Sequence, residues 1–118
     1  MALHNFSSWT SLEEMLKSWD TNPCIYKFTP VSWDDVLFAY YNYEDYSGSA
    51  FVVFMLNGLL FEVHGSHCSC YGLEDQWAPE ETSWEALRMF QHFHYNDGED
   101  SEPKKVWEAL VASKFTIQ

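Results

Sequence analysis

Residues 50 to 64, AFVVFMLNGLLFEVH, hold two apolar runs joined by Asn57-Gly58. A type I′ turn needs positive φ at both central residues, and Asn-Gly meets that need at the least steric cost. A two-residue turn also fixes the register of the strands it joins. Leu56 then faces Leu59, Phe54 faces Phe61 and Val52 faces Val63 on one side of the sheet. Met55 with Leu60, Val53 with Glu62 and Phe51 with His64 pair on the other. The side carrying Val52, Phe54, Phe61 and Val63 is the expected core face.

The other elements follow from periodicity and punctuation. VLFAYYNY, from Val36 to Tyr43, is rich in aromatic and β-branched residues and reads as a strand, with EDYSGS after it as a loop. Upstream, Thr10-Ser11-Leu12-Glu13 has the form of a capping box. Leu12, Met15, Leu16 and Trp19 then recur at the spacing of one buried helical face, and Asn22-Pro23 stops the helix. Ser32-Trp33-Asp34-Asp35 suits a single turn. Downstream, Thr82-Ser83-Trp84-Glu85 is a second capping box, followed by Ala86, Met89, Phe90 and Phe93, which predicts a helix over about 83–95 ended by Asn96-Asp97-Gly98. Ser101-Glu102-Pro103 opens a third helix that buries Val106, Trp107, Leu110 and Val111. The expected fold is α+β, a three-stranded antiparallel meander (about 36–43, 50–56 and 59–64) with an N-terminal helix and two C-terminal helices covering one sheet face.

At 118 residues the chain has the size of one domain, spanning 1–118, and can bury a core without staples. Hydrophobic residues at 47% and aromatics at 19% argue against disorder despite the charge. That charge is strongly negative: 18 acidic against 6 basic residues give −12. Such a surface repels nucleic acid and anionic membrane and favours basic partners or cations. The longest apolar run, Ala50 to Leu56, is too short to span a bilayer. The start, MALHNFSSW, has neither the basic nor the apolar region of a secretion signal, so Cys24, Cys68 and Cys70 are expected as reduced thiols in a cytoplasm.

HGSHCSCYG, residues 64 to 72, concentrates the chemistry-bearing side chains. His64, His67, Cys68 and Cys70 have the donor atoms zinc accepts in a tetrahedral site. Their spacing argues against one. Structural zinc sites space their cysteines two to four residues apart and draw a second pair from a distant segment, whereas here all four donors crowd one stretch. A cysteine nucleophile needs a base or helix N-terminus to hold the thiolate; Cys68 or Cys70 with His64 or His67 makes a conceivable dyad, but the sequence has no recognisable nucleophile turn or oxyanion motif. A packed loop without cofactor is the expectation, and a small zinc module or enzyme centred on residues 64–70 is the competing reading.

The run VHGSHCSCYGLEDQWAPEETSWEAL, residues 63 to 87, resembles a segment of small uncharacterised proteins of tailed bacteriophages and prophages. The resemblance carries no assigned chemistry; it implies a phage-encoded accessory protein acting in a bacterial cytoplasm. With the acidic charge and the lack of a catalytic motif, the expected role is a binding protein rather than an enzyme. It would inhibit or modulate a host or defence enzyme by occupying a cleft built for nucleic acid. The candidate contacts are Asp97, Glu99, Asp100 and Glu102 between the last helices, and Glu74, Asp75, Glu80 and Glu81 beside the cluster. Tyr71 and Trp77 are the candidate aromatic anchors.

Overall fold

The computed structural model is an α+β arrangement built on a five-stranded mixed sheet. It describes residues 4–7, 9–19, 29–30, 32–44, 47–67, 73, 76–88 and 102–113. The sheet order is β1-β2-β3-β4-β5, with β1 His4–Phe6, β2 Val36–Glu44, β3 Ser47–Leu56, β4 Leu59–His67 and β5 Glu80–Thr82. The helices are α1 Leu12–Ser18, α2 Trp84–Arg88 and α3 Glu102–Ser113, and a 3₁₀ turn at Trp33–Asp35 leads into β2. No helix among the described residues is long and apolar enough to cross a membrane.

The central hairpin has the register that its turn dictates. Asn57 and Gly58 both take positive φ, 54° and 81°, and the pairs run from Leu56–Leu59 through Phe54–Phe61 and Val52–Val63. The pairing continues past the expected ends, through Ala50–Gly65 and Ser49–Ser66 to Gly48–His67. Ser47 to Ser49, expected as loop, therefore belong to β3. The three-stranded meander is correspondingly the middle of a larger sheet. A parallel strand, β1, pairs with β2 at one edge, and β5 pairs antiparallel with β4 at the other.

Both faces of this sheet are buried, which corrects the expectation of helices on one face. On the first face Val36, Ala39, Ala50, Val52, Phe54, Phe61 and Val63 meet Met15, Leu16 and Trp19 of the α1 segment, together with Trp9, Leu73 and Trp77. On the second, Phe38, Tyr40, Phe51, Val53 and Leu60 meet Leu87 of α2 and Trp107 and Val111 of α3. The physical reason is written in the strands: VLFAYY and AFVVF are continuous apolar runs, and a strand wet on one face would alternate. A β-bulge between Val36 and Phe38 lets β2 serve both cores. Val36 pairs with Phe54 and Phe38 with Val53, so Leu37 is the extra residue and packs with the second face.

Helix starts lie one residue later than the capping boxes suggested. Ser11 caps α1, its Oγ accepting from the Glu14 amide at 3.2 Å, while the Glu14 carboxylate reaches back to the Thr10 amide at 3.2 Å. Ser11-x-x-Glu14 matches the motif as well as Thr10-x-x-Glu13 does, so sequence alone could not choose between them. Ser83 caps α2, accepting from the Ala86 amide at 3.2 Å, because Thr82 is already committed to β5. The expected continuation of that helix through Met89, Phe90 and Phe93 lies outside the described residues. α3 starts at Glu102 with Pro103 in its first turn and buries Trp107 and Val111, with Val106 and Leu110 partly buried beside them.

Candidate functional site

The period of a β-strand separates the two histidines of the HGSHCSCYG segment. His64 pairs with Phe51 and His67 with Gly48, three positions apart on β4, so they stand on opposite faces and roughly 10 Å apart along the strand. One zinc ion would need their nitrogens within about 2.0–2.1 Å of itself. The strand thus holds His64 and His67 apart, which argues against their serving together as ligands of one ion. Cys68, Cys70 and Tyr71 lie outside the described residues. Among the described residues no group of three or more His, Cys, Asp or Glu side chains is placed to hold a metal.

Each histidine has its own partners. On the first face, the Tyr41 hydroxyl and His67 Nε2 share a hydrogen bond of 2.5 Å, and the rings meet edge-on at 5.8 Å. Trp9 stacks on the Tyr41 ring at 5.5 Å and donates from its own indole nitrogen to Ser18 Oγ at 2.8 Å. Space for this group comes from glycines. A Cβ on Gly48 would sit 2.5 Å from His67 Nε2, and one on Gly65 would sit 2.7 Å from the Trp19 ring. The Trp19 indole nitrogen is buried without a hydrogen-bond partner among the described residues. Tyr41 and His67 form a hydrogen-bonded pair, but the sequence offers no signal linking them, because they are 26 positions apart.

On the second face, His64 Nε2 lies 2.5 Å from Glu62 Oε1, and its ring packs on Phe51 at 4.9 Å. The His64 side chain is 43% exposed and Glu62 14%. Residues two apart on a strand share a face, so this contact was legible from His64 and Glu62 alone. Glu80 lies directly across from Glu62 in the β4–β5 ladder.

Edge strand β5 and the first turn of α2 carry three exposed carboxylates. Glu80, Glu81 and Glu85 are exposed and have no ion-pair partner among the described residues. The two-residue turn makes Leu56–Leu59 a hydrogen-bonded pair, so even-numbered residues of β4 direct their backbone groups away from β3. Ser66 agrees, its amide donating to Gln76 Oε1 at 2.9 Å. Glu80 and Thr82 thus bond inward to β4, and Glu81 presents its amide and carbonyl outward. Pro79, before it, has no amide proton to offer, so the edge is short, charged and short of donors.

Of the other expected contacts, Glu102 is exposed at the first residue of α3, where its charge also complements the helix dipole. Glu74, Asp75, Asp97, Glu99 and Asp100 lie outside the described residues. Trp77 is not a surface anchor. It is 4% exposed, edge-on to Trp19 at 5.5 Å and stacked on Phe54 at 5.8 Å, because the first face needs a lid over its aromatic rings. Comparisons with protein-family models, curated proteins and solved structures return no match.

Proposed function

We propose that this chain is a non-enzymatic, acidic binding protein that docks through the β5–α2 edge onto a basic surface of a bacterial protein. The observation that carries the reading is the trio Glu80, Glu81 and Glu85: exposed, without ion-pair partners among the described residues, the first two on edge strand β5 and the third in the first turn of α2 that follows it, in a chain of net charge −12. Charge of this kind steers association and selects basic partners. The phage resemblance of residues 63 to 87 supports a host or defence enzyme in the bacterial cytoplasm as the partner. A cleft that binds nucleic acid has the phosphate-spaced positive charge such carboxylates would occupy, so the proposed action is inhibition or modulation by competition.

The test is capture of the partner from bacterial lysate, followed by competition between this protein and double-stranded DNA for it. Displacement of DNA by the parent, with slower association for Glu80→Gln/Glu81→Gln/Glu85→Gln, is the expected result. A partner that holds DNA and this protein together would overturn the competitive reading.

A further inference from the structure

The Asn57-Gly58 turn has a chemical consequence separate from its role in register. We propose that Asn57 is a modification site, the first position in the chain to undergo spontaneous deamidation, and that fraying of the Leu56–Leu59 rung controls its rate.

The reaction needs a backbone amide nitrogen to attack a neighbouring side-chain carboxamide. The Gly58 amide loses its proton to solvent base, and its nitrogen bonds to Asn57 Cγ. The bond from Cγ to the side-chain nitrogen Nδ2 then breaks, and that nitrogen leaves as ammonia after taking a proton from water. The resulting cyclic imide is opened by one water molecule: attack at the main-chain carbonyl gives isoaspartate, and attack at Cγ gives aspartate. Water is the only co-reactant, and no electrons are transferred.

Three observations single out this position. Of the asparagines, which are followed by Phe6, Pro23, Tyr43, Gly58 and Asp97, Asn57 alone precedes a residue with no side chain to obstruct the attacking nitrogen. Asn57 and Gly58 are both exposed, and neither has a hydrogen bond among the described residues that would hold the amide or the carboxamide back. The surroundings are open as well, since even a Cβ built on Gly58 would meet nothing within 4 Å.

The turn itself opposes the reaction. Asn57 is held at φ 54° by a closed two-residue loop, and forming the five-membered ring requires the backbone on either side of it to rotate. That rotation is possible once the last rung opens. Leu59 is 45% exposed and Leu56 only partly buried, so this rung is less covered than Phe54–Phe61 behind it, which is fully packed.

The experiment is incubation of the folded protein at mildly alkaline pH, with peptide mapping by mass spectrometry and fragmentation that separates aspartate from isoaspartate. The expected result is conversion at Asn57 before Asn5 or Asn42, one added negative charge on ion exchange, and a mixture containing isoaspartate. Leu56→Ala should accelerate conversion while the circular dichroism of the sheet is retained, and the chain unfolded in urea should convert faster than either. Earlier conversion at another asparagine would overturn the site. Equal rates in native and unfolded chains, or no acceleration in Leu56→Ala, would overturn control by the rung.

Discussion

At the scale of single residues, what a side chain does here depends on which face of the sheet it occupies. Phe61 is 3% exposed and stacks on Phe54 at 5.4 Å across the hairpin. Phe61→Ala should lower stability by about 3–5 kcal/mol through lost transfer energy and a cavity that neighbouring rings cannot fill, measured by urea unfolding. His64 and His67 illustrate the converse, where closeness in sequence means separation in space. With one bound to Glu62 and the other to Tyr41, the effects of His64→Ala and His67→Ala should add to within about 0.5 kcal/mol in a double-mutant cycle. A large coupling energy would mean that the two act on a common ligand after all. The alternation that separates them was available in the sequence, but only once residues 64 to 67 were assigned to the strand. Gly65 and Ser66 made that segment read as loop.

At the scale of elements, the legible parts were those with enough residues to show a period or a turn signal. The hairpin, β2, α1 and α3 all have that length, and the positive φ of Asn57-Gly58 made even the cross-strand partners readable. HNF at β1 and EET at β5 are three residues each, too short for alternation to appear and placed by pairing with long neighbours. The Tyr41–His67 contact was illegible for a related reason, since it depends on β2 and β4 both flanking β3 in one sheet. Cap identity shows the same dependence on context: two overlapping motifs stood at residues 10 to 14, and backbone geometry selected Ser11. Ser11→Ala should cost about 1 kcal/mol by removing the acceptor for the Glu14 amide, whereas Thr10→Ala leaves that bond in place and should cost less. Thermal unfolding of the two variants distinguishes them, and an equal or larger loss at Thr10 would shift the cap back to the position expected from the sequence.

At the scale of the whole molecule, burial and charge act against each other. Two aromatic cores, one on each side of the sheet, hold together a chain whose net charge of −12 repels itself. Salt screens that repulsion, the Debye length falling from about 30 Å at 0.01 M to about 8 Å at 0.15 M. The urea unfolding midpoint should therefore rise with sodium chloride over this range, and rise less in Glu80→Gln/Glu81→Gln/Glu85→Gln, where part of the repulsion is already removed. Sodium chloride suits the test because sulfate would also stabilise by exclusion from the surface. The same screening should slow association with a basic partner, as exposed charges lose their reach. Folding and binding thus respond to salt with opposite signs, which separates a surface charge kept for a partner from one balanced within the fold. A midpoint that falls as salt is added would mean that internal ion pairs outweigh net repulsion. The carboxylates of the β5–α2 edge would then be better explained as part of the fold than as a docking surface.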